Sequence, residues 1–327
     1  HDDTLAPQAL FAVAEALQRS QIKPEQVDHV IMGNVAHSSP DAAYLARHVG
    51  IKTGVPIETP ALTLNRLCGS GLQSVITAAQ HILLNEAKVV VAGGAENMSQ
   101  IPYVLSQARW GYRMGNAPMI DMLSAALTDT CAQVAMSDTA ENLAEKYAIS
   151  REEQDAYAIE SVKRAQAAQA NGAFADEIVA VKVATRKGDV EVATDEQPGR
   201  SDIAKIPTLR PAFKKDGSVT AASSSSISDG AAAVVLLTEE DAAARGITPL
   251  ARIVGHATHS QEPEWFTTAP IGALHKLLGK TGWSLDQVDL FEINEAFAVV
   301  SLVTMSKLEI PHAKVNVHGG ACALGHP

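Results

Sequence analysis

Four short stretches carry side chains able to do acyl chemistry: NRLCGSG (65–71), TAASSSSISDG (220–230), NEAFA (294–298) and HGGACALGHP (318–327). In the first, Cys68 lies between a strand-like run, TPALTL (59–64), and a helical pattern, LQSVITAAQHILLNEA (72–87). A cysteine at such a turn faces backbone N–H groups and the positive end of the helix dipole, which predicts a lowered thiol pKa and a nucleophilic thiolate. The glycines that follow let the backbone turn sharply and a substrate come close. The same N–H groups suit a developing oxyanion. The competing reading is a small buried core residue, where free cysteines most often sit.

His326 is of the type that takes a proton from a thiol, and a Cys–His pair is the apparatus for nucleophilic acyl transfer. The competing reading is a histidine in a surface loop. Asn294 suits orienting a water or polarising a carbonyl, against a simple helix cap by Asn294-Glu295. His318, Cys322 and His326 are also spaced by four, as metal ligands on one helix face would be. Gly319, Gly320 and Gly325 oppose a helix there and no fourth ligand is near, so no metal is expected.

The elements that must hold these residues alternate. LAPQALFAVAEALQRS (5–20) and DAAYLARHVG (41–50) have helical spacing, QVDHVIMGNVA (26–36) is strand-like, and KVVVAGGAENMS (88–99) opens as a strand buried on both faces. This alternation predicts an α/β fold with a mostly parallel sheet. From about Gln100 the pattern breaks. Residues 107–122 lack a period, 137–174 are helical and charged with a capping box at Ser150 and Glu153, and 187–218 read as surface loops. AAAVVLLT (231–238) returns to a buried strand. The serines at 223–226 read either as a flexible linker or, lying just before a core strand, as a ligand-facing loop. The expected domains are 1–97 with 228–248, an insertion at 98–227, and 249–327.

The last third repeats the opening. Residues 6–36 and 269–298 each run helix, turn, strand, loop, with Glu25-Gln26-Val27-Asp28 answered by Asp286-Gln287-Val288-Asp289. LTLNRLCGSG then pairs with AKVNVHGGACALGHP. The comparison implies that the second copy stops before a last helix and strand, and that the first copy opens without a leading strand. Ligands gather beyond the carboxyl ends of strands in open α/β sheets. A duplicated sheet with a pseudo-twofold axis would therefore bring Cys68 of one half towards His326 of the other.

The chain of 327 residues has 26 basic and 37 acidic side chains and a net charge of −11, which argues against nucleic acid and anionic membrane as partners. Cys68, Cys131 and Cys322 form no disulfide framework, so a reducing, cytoplasmic setting is expected. No apolar run reaches membrane-spanning length.

Taken together, NRLCGSG, NEAFA and NVHGGACALGHP, in this order, resemble the thiolase family, and most closely its acetyl-CoA acetyltransferases. GGAENMS (93–99), GYRMG (111–115), TAEN (139–142) and SDGAAAV (228–234) match as well. The resemblance covers essentially the whole chain. It implies two similar α/β core domains in a five-layer αβαβα arrangement, with a loop domain inserted in the first. It also implies a homodimer or homotetramer and no tightly bound cofactor, with acetyl-CoA, acetoacetyl-CoA and CoA as substrates.

Position by position, the resemblance makes Cys68 the acyl-accepting nucleophile and His326 the base that activates it. Asn294 would fix a water in an oxyanion hole, and Phe297 would wall the pantetheine channel. Ser225, with Ala221 and Ser226, would contact the pantetheine arm, and Leu127 and Met136 would line the coenzyme site. Arg200 is the candidate contact to the adenine-bearing phosphate, and Cys322 reads as a packing residue. The implied reaction is reversible Claisen condensation of two acetyl-CoA through acetyl-Cys68. The alternatives are a 3-ketoacyl-CoA thiolase of fatty acid breakdown, or a catalytically incomplete CoA-binding subunit. The second is raised by a departure: the family's second catalytic cysteine, in a Cys-x-Gly motif, has no counterpart in this sequence.

Overall fold

The computed structural model describes residues 6–327; Leu5, the expected start of the first helix, lies outside them. In chain order the first elements are α1 (Ala6–Arg19), β1 (His29–Gly33), α2 (Leu45–Lys52), β2 (Ala61–Leu64), α3 (Ser70–Leu83) and β3 (Val89–Asn97). Next come the short β4 (Tyr103–Val104), β5 (Ile120–Asp121), α4 (Met122–Ala126), β6 (Thr128–Asp129) and β7 (Val134–Ala135). The middle holds α5 (Met136–Lys146), α6 (Arg151–Asn171), β8 (Val181–Thr185), β9 (Gly188–Val192) and α7 (Glu196–Arg200). The chain closes with β10 (Asp229–Leu237), α8 (Glu239–Ala244), α9 (Ala269–Thr281), α10 (Ala298–Leu308) and α11 (Ala321–Leu324). Two compact units result: residues 6–126 with 228–253 and Pro327, and residues 127–227 with 254–326.

The first unit is built on one sheet of order β10-β3-β1-β2. β1 runs parallel to β2 and β3, and β10 runs antiparallel to β3. Side chains alternate across a strand, and here both sides are apolar. Val30 and Met32 of β1, with Val89 and Val91 of β3, pack under Ala9, Val13 and Leu17 of α1 and Leu45, Ala46 and Val49 of α2. Ile31, Val90 and Ala92 face the other way, against Ala78 and Ile82 of α3. A parallel sheet covered on both faces needs this continuous apolar run.

α3 sits close because small residues permit it. A Cβ on Gly33 would lie 2.7 Å from the Ser70 carbonyl carbon, and one on Gly94 would meet the Gly33 carbonyl oxygen at 3.2 Å and the Gly71 α-carbon at 3.7 Å. On the far side a Cβ on Gly93 would meet the Ala232 carbonyl oxygen at 2.3 Å, so β10 also demands glycine at its partner position.

In the second unit, α6 is the long element. Its start is the expected capping box: Ser150 Oγ accepts from the Glu153 N–H, and Glu153 accepts from the Ser150 N–H. Its end is Gly172 at φ 77°, in the left-handed region that favours glycine. Charged as its sequence is, it buries Gln154, Asp155, Tyr157, Ser161 and Val162. The stretch 187–218, expected to be loop, instead contributes β9 of an antiparallel hairpin with β8, then the short α7.

The repeat is visible in geometry. Lys23 N–H donates to Gln26 Oε1, and Ser284 N–H donates to Gln287 Oε1, both at 2.9 Å, each closing a short 3₁₀ turn ahead of Val27 or Val288. The next step differs. β1 pairs with β2 in a full parallel ladder, whereas the strand expected around 288–293 is reduced to one parallel bridge, Phe291 with Val315.

The tight sheet–helix contact generates a prediction. Gly33→Ala must push α3 off the sheet, and overpacking of this kind costs about 1–3 kcal/mol. Gly71→Ala, whose Cβ would have nothing within 4 Å, should be neutral or slightly stabilising. Urea unfolding midpoints of the two variants check this.

Candidate active site

Cys68 closes the turn that joins β2 to α3. Leu67, just before it, has φ 47°, a left-handed conformation that a side-chain-bearing residue holds only at a cost. Ser70 braces this turn: its Oγ accepts from the Arg66 N–H at 2.8 Å and donates to the Leu67 carbonyl at 2.7 Å. Asn65 Oδ1 accepts from the Leu67 N–H at 2.8 Å, and Asn65 Nδ2 donates to the Val35 carbonyl at 3.3 Å. Cys68 is exposed and in no disulfide, so it is not a core residue. The expected lowering of its pKa is not what the site produces. The atoms packed around it desolvate the thiolate and push the thiol up, outweighing the backbone hydrogen bond that lowers it. Cys68 thus needs a base to become a nucleophile at neutral pH.

The second unit places a histidine beside an asparagine. Asn294 Nδ2 and His326 Nε2 are 3.2 Å apart. Desolvation lowers the His326 pKa, so the ring is neutral at pH 7. In the tautomer with its proton on Nδ1, the Asn294 amide donates to Nε2. The His326 backbone N–H donates to the Ser226 carbonyl at 3.2 Å, which ties this residue to the serine run.

That run is no flexible linker. Ser223 and Ser224 are buried, and the Ser223 carbonyl accepts from the Ala298 N–H at 2.8 Å. Ser225 donates to the Ala296 carbonyl through both its N–H (3.0 Å) and its hydroxyl (3.2 Å). Ser224 bridges Phe297 in antiparallel sense. The serines are therefore an extended partner of the NEAFA segment.

A cleft of about 340 Å³ opens beside them, and Arg200, Lys205, Ala221, Ser224, Ser226 and Cys322 are part of its lining. The structure thus brings Arg200, Ala221 and Ser226 together. Arg200 is exposed and pairs with Glu196 at 3.5 Å. Ser225, Phe297, Met136 and Leu127 lie outside the lining. Phe297 is buried in an apolar cluster that Met136 joins, with Phe213 edge-on at 6.3 Å. Leu127 is exposed, and its carbonyl accepts from the Met136 N–H at 2.9 Å. Cys322 packs against the cluster of Phe291 and Ile293; burial and the neighbouring Glu295 carboxylate push its thiol far up. α11 spans only four residues, so His318, Cys322 and His326 do not share a helix face. Among the described residues, no group of three candidate ligands is placed to hold a metal ion.

Sequence reasoning missed the residues beneath the site, reading Glu295 only as part of a helix cap. Glu295, Tyr157, Ser161 and Asn316 are buried together, and Ser70 braces the Cys68 turn. The one available signal was Gly319-Gly320, a pair that leaves space for a neighbour.

Residues 6–240 match the thiolase N-terminal domain and residues 247–327 the thiolase C-terminal domain. The chain belongs to the thiolase family. Human mitochondrial 3-ketoacyl-CoA thiolase is 46% identical over 328 residues, covering 100% of this chain and 83% of that protein. An acetyl-CoA acetyltransferase of Chromobacterium violaceum is 47% identical over 326 residues, covering 98% of this chain and 83% of that protein. The crystal structure of the human thiolase in complex with CoA superposes with a TM-score of 0.94 at 45% identity, covering 100% of this chain and 82% of that one. This thiolase therefore has the thiolase fold and is an acyltransferase. No helix among its described residues is long and apolar enough to cross a membrane.

Because desolvation raises the Cys68 thiol, the rate of its alkylation by iodoacetamide should keep climbing through pH 9.0, the ordinary thiol value, rather than level off below it. A plateau reached below pH 8 would contradict the raised pKa. Mass-resolved alkylation across pH provides the check.

Proposed function

We propose that this thiolase moves acyl groups between coenzyme A thioesters through an acyl-Cys68 intermediate. The observation that carries the reading is the Asn294–His326 hydrogen bond, with the ring kept neutral by desolvation. Cys68, with its raised thiol, requires a proton acceptor, and a neutral imidazole is one at pH 7. The Cys68 sulfur attacks the thioester carbonyl as its proton passes to His326 Nε2, where it displaces the Asn294 amide from the nitrogen's lone pair. The bond to the CoA sulfur then breaks, and that sulfur leaves with the proton as free CoA. A second acetyl-CoA loses an α-proton to His326, its carbanion attacks the acetyl carbonyl, and the bond to the Cys68 sulfur breaks, that sulfur taking the proton back as acetoacetyl-CoA leaves. Cleavage runs the same steps backwards. Asn294, with a bound water, supplies donors for the oxyanion.

The cleft lined by Arg200, Ala221 and Ser226 takes the coenzyme arm, with no tightly bound cofactor. The Ser225 hydroxyl is spent on Ala296, so it shapes this loop rather than offering a free donor. Phe297 and Met136 supply an apolar wall, and Leu127 a margin of the site. The protein acts as a homodimer or homotetramer. Its three free cysteines fit a reducing compartment, such as the cytoplasm.

Two substrate classes are open. Acetyl transfer to and from acetoacetyl-CoA is supported by the name of the bacterial relative, and cleavage of longer 3-ketoacyl-CoA equally by that of the human one. Identities of 47% and 46% do not separate them.

The protein incubated with acetyl-CoA should gain one labile acetyl group on Cys68, seen by intact mass and peptide mapping, and Cys68→Ala should gain none. CoA binding without an adduct on the folded protein would sink the reading in favour of a binding subunit. Thiolysis rates across 3-ketoacyl chain lengths then decide between the two substrate classes.

The pH dependence has a definite sign. A lowered His326 pKa keeps the base competent as pH falls, so the acid limb of the acylation rate should lie below pH 6.5, the ordinary histidine value. A limb above 6.5 would remove His326 from the role.

A further inference from the structure

Glu295 follows Asn294 directly and is 1% exposed. Both of its carboxylate oxygens are fully engaged. Oε1 accepts from the Tyr157 hydroxyl and from Asn316 Nδ2, each at 2.8 Å. Oε2 accepts from the Ser161 hydroxyl at 2.7 Å and from the Cys322 N–H at 3.0 Å. The donors come from three places: α6, the turn at Asn316, and the start of α11. Asn316, at φ 46°, also donates to the Ile293 carbonyl and accepts from the Ile293 N–H, both at 2.8 Å. Ser161 Oγ accepts from the Gly320 N–H at 3.0 Å.

The glycine pair follows from this packing. A Cβ on Gly320 would lie 2.4 Å from the Glu295 carboxyl carbon, and one on Gly319, at φ 81°, would lie 2.5 Å from the Ser161 carbonyl oxygen. α6 adds a second clamp: Arg164 Nη1 donates to the Val315 carbonyl at 2.6 Å and the His312 carbonyl at 3.2 Å.

Asn294 and His326 lie 32 residues apart, on separate segments. One buried carboxylate holds both: the first through its own backbone, the second through Cys322 and α11, four residues upstream. We propose that Glu295 is the positioning residue of the Asn294–His326 pair, a role that rests on the acyl-transfer reading above. It touches no substrate. It fixes the distance between the two groups that do the chemistry, using the α6 hydroxyls as its template.

Glu295→Gln tests this, because an amide keeps the size but turns one acceptor into a donor. That donor then faces the Cys322 N–H or the Asn316 amide, and the contact is lost. Acylation of Cys68 by acetyl-CoA should slow by about 10- to 100-fold, the scale of a small misplacement, with KM held within about twofold. In an Asn294→Ala background the same change should cost less than about threefold, since the pair it positions is gone. Loss of folded protein would instead lower the rate by the same factor in both backgrounds.

A second readout does not need activity. The His326 imidazole proton resonances should move in Glu295→Gln, while those of His29 and His48 stay in place. Unmoved His326 resonances in the folded variant, or equal factors in the two backgrounds, overturn the proposal. If the unaltered protein forms no acyl-Cys68, the acyl-transfer reading fails, and the resonances alone decide the positioning role. Should Glu295→Gln not fold, Tyr157→Phe and Ser161→Ala each remove a single donor, and the same two readouts apply with smaller shifts.

Discussion

A carboxylate with almost no access to water is tolerable only when every lone pair is used, because an unpaired buried charge is among the costliest defects a fold can hold. Glu295 meets that demand with four donors, and the demand organises its surroundings. Tyr157 and Ser161 must lie one helical turn apart on α6. Asn316 must turn left-handed to reach two partners at once. Gly319 and Gly320 must carry no side chain. The Tyr157 hydroxyl is held protonated by the same burial and the same neighbouring charge, so it stays a donor. A network satisfied in this way rigidifies what it touches. What it touches are the backbones leading to Asn294 and His326.

The first unit solves its positioning problem by another route. There the determinant is closeness rather than charge. Gly33 and Gly94 let the start of α3 rest on the sheet, and Ser70 spends its hydroxyl on the turn that holds Leu67 in a strained conformation. Cys68 emerges from that turn exposed, with desolvation the largest influence on its thiol. The helix dipole acts weakly beyond the first turn, and desolvation wins. One unit thus carries a thiol reluctant to ionise, and the other a histidine reluctant to protonate.

Much of this was legible in the sequence. The alternation of β-branched runs with helical spacing fixed the α/β class, and the Glu25-Gln26-Val27-Asp28 echo at Asp286-Gln287-Val288-Asp289 marked a repeat whose turns close with the same glutamine hydrogen bond. The chemistry-bearing residues stood out because Cys68, Asn294 and His326 lie in Gly-rich or polar turns. The supporting residues did not. Nothing local distinguishes Ser161 from any other serine on a charged, alanine-rich helix, since its partner lies 134 residues away. The serines at 223–226 suit a linker by composition alone and a ligand-facing loop by position, and only their pairing with NEAFA decides against the linker. The sign of the Cys68 shift was missed because a dipole argument needs only the sequence, whereas desolvation needs the packed surroundings.

The sheet of the first unit has one late arrival. β10 pairs with β3 along nine residues, but Ser99 and its partner Asp229 are separated by 130 positions. During synthesis at about 5–20 residues per second, the edge of β3 emerges from the ribosome about 6 to 26 s before the strand that covers it. That edge reads Val-Val-Val-Ala, an apolar, uncharged run of the kind that recruits other strands. Through that interval the edge is open to pairing with other chains, the kind of exposure that chaperones exist to cover.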